Sequence, residues 1–96
     1  MRLRFSAPLW DYDGEGSWHF VTVPPELSDE LREQSGPRRG FGSIRVRVTV
    51  GGSTWSTSVF PSKTDGYVLP MKRPVREAEG LDVGDEVAVH LEVLDT

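Results

Sequence analysis

The sequence predicts an all-β or β-dominated fold, with six short strands and two short helices in a single domain spanning residues 1–96. Three observations carry this. Apolar and polar residues alternate in the segments Leu3–Leu9, Ile44–Val50 and Val87–Val93, the period-two signature of half-buried strands. A glycine pair, Gly51-Gly52, joins two such runs, as in a tight hairpin. Two proline-led stretches of helical composition, each ending in glycine, follow strand-like segments. A chain of 96 residues forms one domain. Its core is small, because chains of this size hide only about two-thirds of their unfolded surface.

Taken in order, Leu3, Phe5, Ala7 and Leu9 share the inner face of a first strand, with Arg2, Arg4 and Ser6 on the outer face. "DYDGEG" is a turn-rich loop, and "SWHFVTV" reads as a second strand antiparallel to the first. Pro24 and Pro25 stop that strand, since proline cannot donate to a ladder. "PELSDELREQSG" is a short helix with Leu27 and Leu31 on one side and Gly36-Pro37 at its end. In the Gly51-Gly52 hairpin, Val50 faces Ser53, Val48 faces Trp55, Val46 faces Thr57 and Ile44 faces Val59. The other face pairs Thr49 with Thr54, Arg47 with Ser56 and Arg45 with Ser58. A slip of one residue would bury both arginines, so this register is firmly specified.

"PSKTDG" is a turn, "YVLPM" a fifth strand and "RPVREAEG" a second helix with Pro74 in its first turn. Gly80 stands where a left-handed residue closes a helix. In "GLDVGDEV", Gly84 supplies positive φ and Asp85 caps nearby N–H groups, so this block has a structural job and requires no chemistry. Val87, Val89, Leu91 and Val93 line the inside of the last strand. Trp55 and Trp18 are expected in the core, and Trp10, at a strand end, partly exposed. "FVTVPPELSDELREQSG" and "YVLPMKRPVREAEG" echo one another as strand, proline, helix, glycine.

There is no cysteine, so disulfides and thiolate metal sites are excluded, and His19 and His90 are too few to hold a metal alone. The start of the chain carries neither a signal-peptide pattern nor a membrane span, and a cytoplasmic setting is expected. The net charge is −4, unevenly spread. The segment Arg38–Arg76 carries +7 and the flanks −11. Such asymmetry can place a positive face on an acidic protein, or basic strands can be neutralised by acidic neighbours.

With these elements in place the chain resembles the bacterial family called domain of unknown function 1905. The matching features are Phe5-x-Ala7-x-Leu9, Trp18-x-Phe20-Val21-x-Val23-Pro24, the strand from Gly42 and Trp55-x-Thr57-Ser58. They continue in Gly66-Tyr67-x-Leu69-Pro70 and Arg76-x-x-x-Gly80-Leu81-x-x-Gly84-Asp85-x-Val87. The resemblance implies a small six-stranded barrel with two helical connections, and no function. The segment Pro70–Val93 is also similar to the half-barrel of AbrB-type transcription factors, swapped-hairpin dimers that bind DNA. Here the longer N-terminal part implies that one chain supplies the whole barrel.

Chemistry is sparse. Asp11, Asp13 and Glu15 alternate as in a calcium loop, but the twelfth position is Thr22 and strands flank it. No G-x-S-x-G element and no phosphate-binding glycine loop occur. No catalytic residue, metal site or cofactor is assigned. The candidate site is an anion-binding one. Arg45 and Arg47 project beside Ser56 and Ser58, and guanidinium forks with hydroxyls suit phosphate or carboxylate. Lys72 and Arg76 flank the start of the second helix. The reading is a non-enzymatic binding module for an anionic small molecule or a protein partner. A nucleic-acid-binding regulator of AbrB-like type is the alternative, less favoured on charge, and no membrane partner is implied.

Overall fold

A computed structural model describes residues 1–11, 18–34, 42–62 and 66–94. It contains β1 (Arg2–Asp11), β2 (His19–Thr22), α1 (Pro25–Gln34), β3 (Ile44–Val50), β4 (Ser53–Ser62), β5 (Gly66–Pro70), α2 (Arg73–Glu79) and β6 (Glu86–Val93). The strands close into an antiparallel barrel in the order β1-β2-β5-β4-β3-β6, with β6 returning to β1. The loop after Asp11, the Gly36-Pro37 helix stop and residues 63–65 of the "PSKTDG" turn lie outside the described residues.

The inner faces follow the alternation. Leu3, Ala7 and Leu9 of β1, Val46, Val48 and Val50 of β3, and Val87, Val89 and Leu91 of β6 are buried in one core with Val21, Val59, Tyr67 and Leu69. All seven β3–β4 pairs have the register that the glycine turn implies, from Ile44 opposite Val59 to Val50 opposite Ser53. Gly51 takes φ 56°, the left-handed conformation a two-residue turn needs.

Two findings differ from the sequence reading. Trp18 is 59% exposed, because it stands just before β2 in step with Phe20 and Thr22, which face outward. Trp55 does lie opposite Val48 on the inner face, but only half-buried near the hairpin end of the barrel.

Polar side chains tie each helix to the barrel. The buried Ser28 of α1 donates to the Val23 carbonyl at 3.3 Å and accepts the Tyr67 N–H at 3.2 Å, joining the end of β2 to β5. Glu79 of α2 accepts from the Ser53 hydroxyl at 2.6 Å and the Gly52 N–H at 3.4 Å, which pins the helix to the β3–β4 turn. Gly80 closes α2 at φ 64°, with the Leu81 N–H bonded to the Arg76 carbonyl at 2.9 Å. Asp85 caps its own turn, its carboxylate accepting the Asp82 N–H at 2.8 Å.

The connectivity contains an internal two-fold relation. Exchanging β1 with β4, β2 with β5, α1 with α2 and β3 with β6 maps every strand pairing onto another observed pairing. The β2–β5 and β3–β6 pairs each map onto themselves, and the relation is plainest at β2–β5. There the Val23 N–H bonds to the Tyr67 carbonyl at 2.9 Å, and the Met71 N–H bonds to the His19 carbonyl at 2.8 Å. Each half sends its last strand to the other half, β3 to β4 and β6 to β1. This gives structural content to the strand–proline–helix echo in the sequence.

Candidate functional site

The outer face of β1, β6 and β3 carries the charge. On β1 the alternation that buries Leu3 turns Arg2 and Arg4 outward, and on β3 the one that buries Val46 and Val48 exposes Arg47. Strand β6 lies between them and pairs with both. Two rows result. Arg2 is opposite Glu92, which is opposite Arg47; Arg4 is opposite His90, which is opposite Thr49. Neighbouring strands are about 4.8 Å apart and alternate residues along a strand about 6.7 Å apart, so these side chains share one patch. They line an open groove of about 410 Å³, made by Arg2, Arg4, Arg47, Thr49, His90 and Glu92 over Leu3 and Leu91.

Glu92 is the one carboxylate in that lining. Its two oxygens face different arginines, Oε2 at 3.9 Å from Arg2 Nε and Oε1 at 3.4 Å from the Arg47 guanidinium. Both contacts are longer than the 2.7–2.9 Å of a tight charge-assisted bond. Arg4 has no ion pair among the described residues. The Thr49 hydroxyl is 3.1 Å from that of Thr54 on the next strand.

The residues singled out from sequence fall into two groups. Arg45 and Arg47 share the outer face of the β3–β4 hairpin with their partners Ser58 and Ser56. Lys72 and Arg76 stand at α2. Lys72 is its exposed N-cap and makes no side-chain cap bond, while Arg76 donates from Nε to the Met71 carbonyl at 3.0 Å. No hydrogen bond or ion pair among the described residues joins Lys72 or Arg76 to Arg45 or Arg47. Arg38 and Arg39 lie outside the described residues.

Sequence reasoning missed Arg2, Arg4, Thr49, His90 and Glu92 as one site. The available signal was the outward placement of Arg2 and Arg4 in the first alternation. What it lacked was the knowledge that β6 separates β1 from β3.

A second surface is aromatic. Trp10 is opposite Phe20 across β1–β2, with ring centroids 5.1 Å apart, and its indole N–H is held by the Thr22 hydroxyl at 2.9 Å. The Trp18 ring lies nearly parallel to Phe20, at 9° and 6.4 Å. Phe60 is exposed on β4 opposite Val68 of β5, and that strand also pairs with β2.

Among the described residues no three His, Cys, Asp or Glu are grouped to hold a metal ion. No helix there is long and apolar enough to cross a membrane. No curated protein matches the chain. Residues 5–91 match the family described as domain of unknown function 1905, a span that runs from within β1 to within β6 and so includes part or all of every strand, and the chain belongs to that family.

Proposed function

We propose that the chain is a non-enzymatic binding module for an anionic ligand, and that the site is the groove on the outer face of β1, β6 and β3. The observation that carries this is the gathering of Arg2, Arg4, Arg47 and His90 from three strands around a single carboxylate. Guanidinium forks, a ring nitrogen and the Thr49 hydroxyl are a donor set suited to phosphate oxygens. Arg45, one step along β3 on the same face, extends the positive surface.

The test is a calorimetric titration with inorganic polyphosphate at about 20 and 200 mM salt. Binding that falls with salt is expected, since exposed charges are screened. Reversing Arg4 and Arg47 to Glu should weaken it at least about tenfold while the melting temperature moves little, because exposed substitutions cost roughly 0.5 kcal/mol or less. No binding by the parent protein at low salt overturns the reading. The other ligand to test is duplex DNA, which the resemblance of Pro70–Val93 to AbrB-type factors implies. A labelled duplex in the same series that binds more tightly than polyphosphate would replace the small anion by nucleic acid.

A further inference from the structure

We propose that Glu92 is a tethered carboxylate that occupies the anion site in the free protein, and that the ligand displacing it is an oligophosphate. This rests on the groove being an anion site. The geometry is that of an internal ligand. Glu92 sits on the central strand between two arginines on the flanking strands and offers one oxygen to each, at 3.9 and 3.4 Å. Its side chain is 37% exposed, so solvent and solutes reach it. Neither contact is tight, and exposed ion pairs of this kind contribute little to stability. The carboxylate therefore neutralises the arginines without locking them.

The tether decides what can compete. A group attached to the same strand acts at an effective concentration on the order of millimolar or more. A free monocarboxylate offers the arginines the same chemistry without that advantage and does not displace Glu92. A phosphate does better, bringing about −1.5 to −2 charges and three strong acceptor oxygens. A phosphate further along the same chain reaches toward the next row, where Arg4, His90 and Thr49 stand one alternate position along their strands, about 6.7 Å away. Two rows of donors thus select a compact chain of phosphates over a single oxyanion. Once Glu92 is displaced it remains nearby as a negative charge and holds the affinity down.

Calorimetric titration of tripolyphosphate and of acetate into the parent protein and Glu92→Gln, at about 20 mM salt, tests this, with a thermal melt of both proteins. The parent should bind tripolyphosphate and show no heat with acetate. Glu92→Gln should bind tripolyphosphate about 3- to 10-fold more tightly, the effect of removing one like charge some 5 Å from the ligand in a largely aqueous setting. Its melting temperature should stay within a few degrees of the parent. If the parent binds tripolyphosphate and the variant binds it equally or more weakly, Glu92 is not a competitor, and the anion site stands without it. Acetate binding as tight as tripolyphosphate overturns the ligand class. If neither protein binds tripolyphosphate, the anion-site reading fails as a whole.

Discussion

Gly66 and Gly80 both hold left-handed backbone, at φ 80° and 64°, yet they face different surroundings. A Cβ at Gly80 would meet nothing within 4 Å, whereas one at Gly66 would lie 2.6 Å from Ser28 Oγ and 2.7 Å from Ser28 Cβ. Ser28 is the buried bridge between α1, β2 and β5, so it has no free direction in which to retreat. Gly80→Ala should therefore cost about 1–2 kcal/mol, the conformational penalty alone. Gly66→Ala should cost about 2–4 kcal/mol, because a buried hydrogen bond is disturbed as well. Urea unfolding of the two variants checks the difference, and equal losses would show that Ser28 moves aside cheaply. Gly80→Val should be worse than Gly80→Asn, since a β-branched residue resists that conformation and asparagine tolerates it.

At the scale of elements, the β3–β4 hairpin is fixed locally and then serves as the anchor for α2. Its inner side chains are buried from Ile44 to Val50, and its turn is gripped by Glu79. Trp55 packs against this core while half-buried, so Trp55→Ala should cost about 2–3 kcal/mol, below the 3–5 of a fully buried aromatic. Trp18→Ala should cost less than about 1 kcal/mol, because its ring is mostly in water. Equilibrium unfolding that ranked Trp18 above Trp55 would contradict the assignment of their faces. Glu79→Ala should loosen the last turn of α2 and leave the hairpin register intact, visible as faster amide exchange at Gly52 with little change at Val46 and Val48.

Across the whole molecule, strand exchange makes the barrel one cooperative unit. Strand β6 pairs with β1 through seven residues and with β3 through four, so it joins the two ends of the chain and both halves of the fold. A variant ending before Glu86 would expose the ladders of β1 and β3 together and open the core that Val87, Val89 and Leu91 fill. Such a variant should lack cooperative unfolding, and a sigmoidal thermal transition from it would show that the first five strands are stable alone. The same exchange builds the basic groove. Arg2 and Arg4 belong to an acidic flank of the sequence and Arg47 to the basic centre, and only β6 brings them within two strand spacings.

What the sequence by itself determined was local. The Gly51-Gly52 turn and the alternation around it set every pair of β3 with β4, because a period-two pattern gives one register that keeps Arg45 and Arg47 in water. Gly80, Pro74 and the Asp82–Asp85 turn were legible for the same reason: their partners lie within a few residues. The six strands and two helices followed from such signals. What only the tertiary structure decided was which strands became neighbours. That choice rests on burying Leu3, Val48 and Leu91 in one core, an interaction between segments more than forty residues apart that leaves no pattern in any short window. So Arg47 and the outward turn of Arg2 and Arg4 were readable, but not their meeting with His90 and Glu92. Trp18 escaped for a related reason. Its large ring favours burial by composition, while its step in the β2 alternation, fixed by pairing with β1 and β5, turns it to the outside.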